Sequence, residues 1–242
     1  MYVYSDIDRR LVAERAAQFR DQTRRFLAGE LTADEFRHLR LRNGLYIQRY
    51  APLFRIAVPY GMMNSRQLRK IADIARRYDK GYAHISTRHN VHFNWPDLED
   101  VPDIIDELAT VEMHSIQTSG NCVRNIVTDH FAGVAPDEIA DPRPWCELIR
   151  QWGTFHPEFN WLPRKFKIAV TATTTDRSVW IFNDIGVRLD RVDNGVTYFS
   201  VAAGGGLGRT PMAGSILRSD IAGEDLLSYL EAIMRVYNQH GR

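Results

Sequence analysis

The sequence predicts an α+β protein in which a ferredoxin-like split βαβ domain is followed by a second α/β unit. Two observations carry this. Between residues 46 and 117 short apolar runs of strand character alternate with two amphipathic helical patterns. After residue 118 the alternation starts again around a lysine-bearing strand and closes on one more helical pattern. A length of 242 residues accommodates both units, and a hydrophobic fraction of 44% with 25% charged residues is ordinary for globular packing.

Residues 1–45 read as a charged helical extension. Ile7, Leu11, Val12, Ala16, Phe19, Phe26 and Leu27 fall broadly on one helical face among arginines, and Gly29 ends the run. Thr32, with Glu35 three residues on, has the form of a capping box opening a short second helix. An arm packed across its own protein is the expectation. Residues 46–117 form the ferredoxin-like domain. Phe54 to Pro59 reads as a strand, and Asn64 caps a helix carrying Leu68, Ile71, Ala72, Ala75 and Tyr78 that closes at Gly81. Tyr82 to Thr87 and Val91 to Trp95 are the middle strands. Asp100 caps a second helix with Val101, Ile104, Ile105, Leu108 and Val111 on one face, and Met113 to Gln117 is the last strand. This order puts Arg88 at the junction of two adjacent strands.

Residues 118–242 begin with the polar loop Thr118 to Asn125. Asp141 to Pro144 introduces a helix running to about Trp152, and the strand opened by Leu162-Pro163-Arg164-Lys165-Phe166-Lys167 follows. Val179 to Phe182, Ile185 to Leu189 and Val196 to Ala202 supply further strands. Leu226, Leu227, Leu230, Ile233, Met234 and Tyr237 mark the closing helix.

Composition excludes several functions. A formal charge of +1 argues against a nucleic-acid partner. No apolar run approaches the ~20 residues of a membrane span, and an N-terminus with Asp6, Asp8, Arg9 and Arg10 lacks the apolar core of a secretory signal, so no membrane partner and a cytoplasmic location are expected. No metal site is expected either. His89 and His92 are three apart on or beside a strand and so face opposite sides, and Cys122 and Cys146 fall short of the four thiolates of a [4Fe–4S] cluster.

Lys165 and Lys167 share a face at i and i+2, where an anion between them would relieve their repulsion. Ser86-Thr87-Arg88-His89-Asn90 and Thr118-Ser119-Gly120-Asn121-Cys122-Val123-Arg124-Asn125 each add an arginine. Gly204-Gly205-Gly206-Leu207-Gly208-Arg209 follows a strand but lacks the Lys-Ser/Thr ending of a P-loop. Its glycines let backbone N–H groups approach a flat or anionic ligand, and Arg209 suits a carboxylate.

These four ordered motifs, in a match running from about Gly44 onward, resemble the sirohaem-dependent assimilatory sulfite and nitrite reductases. The resemblance implies that Arg88, Arg124, Lys165 and Lys167 surround the substrate oxyanion on the distal face of sirohaem as the catalytic cations. It implies cofactor contacts from Arg88, Thr118, Ser119, Gly120, Asn121, Arg124, Gly204, Gly205, Gly206 and Arg209. Arginine holds charge at any working pH, whereas lysine can lose a proton when burial and neighbouring cations depress its pKa, so arginines would clamp and lysines relay. His89 stands where the family often has glutamine, which leaves its contact with a sirohaem carboxylate open. The family's [4Fe–4S] cluster belongs to the longer enzyme, so the resemblance implies an iron–sulfur C-terminal half or subunit repeating this plan about a pseudo-twofold axis. It implies sulfite or nitrite as substrate without separating them, and ferredoxin or a flavoprotein as donor without choosing. The alternative reading is a non-redox module using the same cationic pocket for a tetrapyrrole, an anion or single-stranded RNA.

Overall fold

The computed structural model describes residues 2–241. The chain divides into two compact units, Met1–Val58 with Met62–Gly120, and Pro59–Gly61 with Asn121–Arg242.

The first unit starts with helix α1, Asp6–Leu27, opened by a capping box in which Ser5 Oγ accepts the Asp8 N–H and the Asp8 carboxylate accepts the Ser5 N–H. Helix α2, Ala33–Arg42, opens on the Thr32 and Glu35 box that the sequence predicts. Phe19 and Phe26 both stack on Phe36, joining the two helices. The unit's sheet consists of β1 (Leu45–Ile47), β2 (Pro52–Ala57), β3 (His84–Ile85) and β4 (Asn90–Phe93) in the order β1-β2-β4-β3, all antiparallel. Helices α3 (Ser65–Tyr78) and α4 (Val101–Ala109) cover one face. There Phe54, Ile56, Val91 and Phe93 meet Ile71, Ile74, Ile104 and Leu108 in one buried cluster. Helix α1 packs on α4, with Arg20 paired to both Asp103 and Asp106. The N-terminal helices therefore lie packed on their own unit and contribute Ala16, Phe19 and Phe36 to its core.

One expected strand is absent. Met113 to Gln117 makes no ladder, because Glu112 and Gln117 flank it in left-handed backbone, at φ 60° and 67°. Its tie to the sheet is the Ala57 N–H donated to the His114 carbonyl at 2.9 Å. The edge beside β2 is occupied instead by β1, which folds back through residues 48–51 and which the sequence reading did not count.

The second unit holds α5 (Arg143–Thr154), β5 (Ile168–Thr171), β6 (Ile185–Asp193), β7 (Val196–Ala203), β8 (Ser215–Ala222) and α6 (Leu226–His240). Its sheet runs β5-β6-β7-β8, with β5 and β6 parallel and the other pairs antiparallel. All four residues of β5 are buried, as suits a strand covered on both faces. Asn194 and Gly195 turn β6 into β7 with φ of 49° and 81°, the left-handed pair that a two-residue hairpin loop requires.

Two expectations change here. Val179 to Phe182 is not a strand: Val179 has φ 55° and Trp180–Phe182 is a 3-10 turn, which drops the Trp180 ring among Val127, Ala169 and Ala202. Strand β8 was not foreseen. It is the outer strand, bulged against β7, and Ile216 and Leu217 are both about half exposed, so it lacks the one-sided alternation that marks a strand in sequence.

Candidate functional site

The lysine pair sits just before β5 rather than inside it. Phe166 forms an isolated parallel bridge with Val123. The Arg124 N–H donates to the Phe166 carbonyl at 2.7 Å, and the Phe166 N–H donates to the Cys122 carbonyl at 3.0 Å. Val123 and Phe166 are buried, so alternation turns Arg124, Lys165 and Lys167 to the opposite face. Three cations from two chain segments therefore share one face of a strand pair. Asn121 braces the approach: its carbonyl accepts the Leu162 N–H at 2.9 Å and its side-chain amide donates to the Pro163 carbonyl at 3.2 Å.

The glycine loop lies close to this pair in the backbone network. The Lys167 N–H donates to Asp184 Oδ2 at 2.7 Å, and the Asp184 carbonyl accepts the Gly204 N–H at 3.1 Å. Gly204 has φ +84°, and a Cβ on Gly205 would collide with the carbonyls of Ile181 and Asn183. Gly206 and Met212 exchange two 2.9 Å bonds, which leaves Arg209 exposed at the tip of the enclosed turn. Behind the lysines, the Phe166 ring packs on Tyr237 of α6 with centroids 4.7 Å apart. Those two rings help wall an apolar cavity of about 650 Å³ together with Leu217, Tyr229, Ile233 and Val236.

The remaining candidates belong to the first unit. Arg88 lies in the tight turn between β3 and β4, where the Ser86 N–H donates to the Asn90 carbonyl at 2.8 Å and His89 takes φ 54°. Thr118 and Ser119 are fully buried. The Thr118 hydroxyl bonds to the carbonyls of Ser115 and Arg55, and the Ser119 hydroxyl to that of Leu41. Gly120 follows at φ +80°. These hydroxyls shape the loop by satisfying main-chain carbonyls. Gly44 permits the approach, since a Cβ there would sit 2.6 Å from both the Arg55 carbonyl and Thr118 Oγ1.

Arg55 is a residue that the sequence reading missed. Its guanidinium lies over the Tyr46 ring, 4.4 Å from the centroid, and donates to the Thr118 carbonyl at 3.3 Å. It pairs across the sheet with His92, which in turn pairs with His84. Arg55, His92 and His84 thus form a row on the sheet face away from the helices. Burial, then the charge of Arg55, then His84 lower the His92 pKa to about 4. The signal was available: an arginine between Phe54 and Ile56 occupies the polar phase of a half-buried strand.

The two thiols behave as structural residues. Cys122 and Cys146 are both buried and unbridged, and burial pushes the Cys146 thiol well above its ordinary value. Two such groups do not fit a four-thiolate cluster. The cationic face and the open backbone around Gly204 and Gly206, where added Cβ atoms would meet nothing, do fit a carboxylate-bearing macrocycle.

Residues 119–242 match the family model described as the nitrite and sulphite reductase 4Fe-4S domain, and residues 52–111 match the nitrite/sulfite reductase ferredoxin-like half domain. The chain belongs to the nitrite and sulfite reductase family. It is 33% identical over 196 residues to the ferredoxin–nitrite reductase of Leptolyngbya laminosa, covering 78% of this chain and 38% of that protein. It is 31% identical over 195 residues to the chloroplastic ferredoxin–nitrite reductase of Arabidopsis thaliana, covering 78% and 33%. A ferredoxin sulfite reductase of Mycolicibacterium paratuberculosis matches at 29% identity over 74% of this chain and 32% of its own length. The NirA protein of Mycobacterium tuberculosis shares the fold, with a TM-score of 0.75 and 23% identity over 86% of this chain and 41% of that one. The chain thus spans 32% to 41% of the length of these relatives. Among the described residues no helix is long and apolar enough to cross a membrane.

Proposed function

We propose that this chain is the sirohaem-binding and oxyanion-binding part of a sulfite or nitrite reductase, inactive by itself and dependent on an iron–sulfur portion for electrons. The observation that carries the reading is the Arg124 N–H bond to Phe166, which brings an arginine to the face of Lys165 and Lys167. Residues 46–117 are read as the ferredoxin-like domain, 118–242 as the first part of the cofactor-binding domain, and 1–45 as a helical extension of the former.

When bound, sirohaem supplies the iron that carries electrons to the substrate. The protein's own residues do the rest. Arg124 offers a planar fork that orients a small oxyanion, and Arg88 adds a second guanidinium. Lys165 and Lys167 hold negative charge and deliver protons from ammonium groups, since each reduction step makes the bound anion more basic. Gly204 and Gly206 present backbone to the macrocycle, Asn121 holds the lead-in to the lysines, and Thr118, Ser119 and Gly120 set the path of the arginine loop. Arg209 reaches a cofactor carboxylate from the exposed turn. Ferredoxin is the class of donor that the relatives' names support.

Co-expression with sirohaem synthesis tests this directly. The purified chain should carry a sirohaem absorption spectrum whose bands shift with added sulfite, yet show no sulfite or nitrite reduction with a reduced dye as donor. A colourless chain, or six-electron turnover by the cluster-free chain, overturns it. The buried state of both thiols favours a second reading, a non-redox tetrapyrrole or anion module. That reading predicts the spectrum but no gain of activity when an iron–sulfur portion is supplied.

A further inference from the structure

We propose that Asp184 is the positioning residue of the cation site, holding the lysine pair and the glycine loop in one frame; this rests on the anion-site reading above. The regular parallel ladder between β5 and β6 begins at Ile168 with Ile185, one residue after Lys167. Asp184 supplies the partner for Lys167 beyond the ladder's end: its carboxylate accepts the Lys167 N–H at 2.7 Å, in the short range of charge-assisted bonds. The Ile185 N–H donates to the Lys167 carbonyl at 3.1 Å, so both main-chain groups of Lys167 are gripped from residues 184 and 185. The carbonyl of Asp184 then takes the Gly204 N–H at 3.1 Å. One residue therefore links the two segments that the function reading assigns to anion and cofactor.

The packing on the other side explains why this matters. Phe166 is held by its main-chain bridge to Val123 and by its ring against Tyr237, and Lys167, the next residue, is held in turn from residues 184 and 185. Asp184 and Tyr237 both line the apolar cavity behind the lysines, and burial and then the Asp184 carboxylate raise the Tyr237 phenol pKa. Asparagine at this position keeps an oxygen for the Lys167 N–H and loses only the charge. Alanine removes the acceptor.

Residue-resolved hydrogen exchange and calorimetric titration with sulfite, on the full chain as wild type, Asp184→Asn and Asp184→Ala, test the proposal. The alanine chain should exchange the Lys167 and Gly204 amides at least tenfold faster and bind sulfite about tenfold more weakly, the equivalent of one hydrogen bond to a charged group. The asparagine chain should recover most of both. If the alanine chain does not fold, Asp184→Ser, whose oxygen is too short to reach the amide, replaces it. Unchanged exchange in the alanine or serine chain overturns the proposal, as does an asparagine chain equally damaged in exchange and affinity. Loosened amides with sulfite affinity unchanged also overturn it. A wild-type chain that binds no sulfite while its amides follow Asp184 overturns the anion-site reading and leaves the positioning role standing.

Discussion

Arg55 in the first unit and Lys165 and Lys167 in the second are cations beside buried apolar neighbours, but they are held differently. Arg55 is fixed by its own side chain, stacked on Tyr46 and bonded to the Thr118 carbonyl. The lysines are fixed through main chain, by the Val123–Phe166 bridge and the bond from Lys167 to Asp184. A guanidinium is planar and can be clamped by a ring and a carbonyl, whereas an ammonium is a point charge on a flexible stem. Where a lysine must be placed, the backbone that carries it has to be placed first.

The strongest test of that contrast is removal of the lysine charges. In a reductase assembled from this chain and an iron–sulfur portion, Lys165→Met and Lys167→Met should each lower turnover by roughly 10²- to 10⁴-fold with sirohaem content unchanged, the scale of lost general acid catalysis. Arg124→Lys should mainly raise the substrate concentration for half-maximal rate. Steady-state kinetics on cofactor-loaded protein decide between them, and near-normal turnover in both methionine variants removes the lysines from the site.

Next in size is Phe166→Ala, which touches neither ammonium group. It empties the buried space beside the Tyr237 ring and should cost about 3–5 kcal/mol in urea unfolding, as other buried phenylalanine truncations do. Sulfite affinity should fall with it. A chain that loses stability but keeps its affinity would break the claim that backbone placement governs the lysines.

The first unit should respond to pH through His92. Its folded pKa of about 4 lies below the ordinary 6.5, so between those values the unfolded chain binds the extra proton. Stability is full above about pH 6.5 and declines as pH falls toward 4, by on the order of 1–2 kcal/mol after allowing for solvent screening. His92→Gln should flatten that part of the stability profile, read by thermal melts across the range. Smallest is Arg55→Lys. It keeps the charge, loses the planar stack on Tyr46, and should cost about 0.5–1 kcal/mol while leaving β2 paired, measurable by urea titration.

What the sequence disclosed tracks how local each determinant is. The Thr32 and Glu35 box and the Asn64 cap each span one helical turn and were legible at once, as was the apolar stripe of α4; the return bond from Gln67 to Asn64 was not read. The lysine pair and the arginine loop were legible as motifs. That the Arg124 N–H meets the Phe166 carbonyl depends on a pairing across about forty residues, which periodicity does not encode. Elements failed where backbone handedness decided the outcome. Met113 to Gln117 and Val179 to Phe182 read as strands by composition, but Glu112, Gln117 and Val179 adopt left-handed backbone that non-glycine residues seldom announce. The role of Asp184 was invisible for a related reason: its partner is an amide at the ragged end of a ladder.

The segment beside β5 also carries a change of phase. Val123 and Val127 are four residues apart, while their partners Phe166 and Ala169 are three apart, so the first segment contains one residue more than the second. Side-chain direction is consequently reset between the two bridges. Upstream, a half-buried segment can lift its cations toward a ligand; downstream, the same segment becomes an interior strand buried on both faces. The extra residue lets a single short stretch of chain be surface chemistry at one end and core at the other.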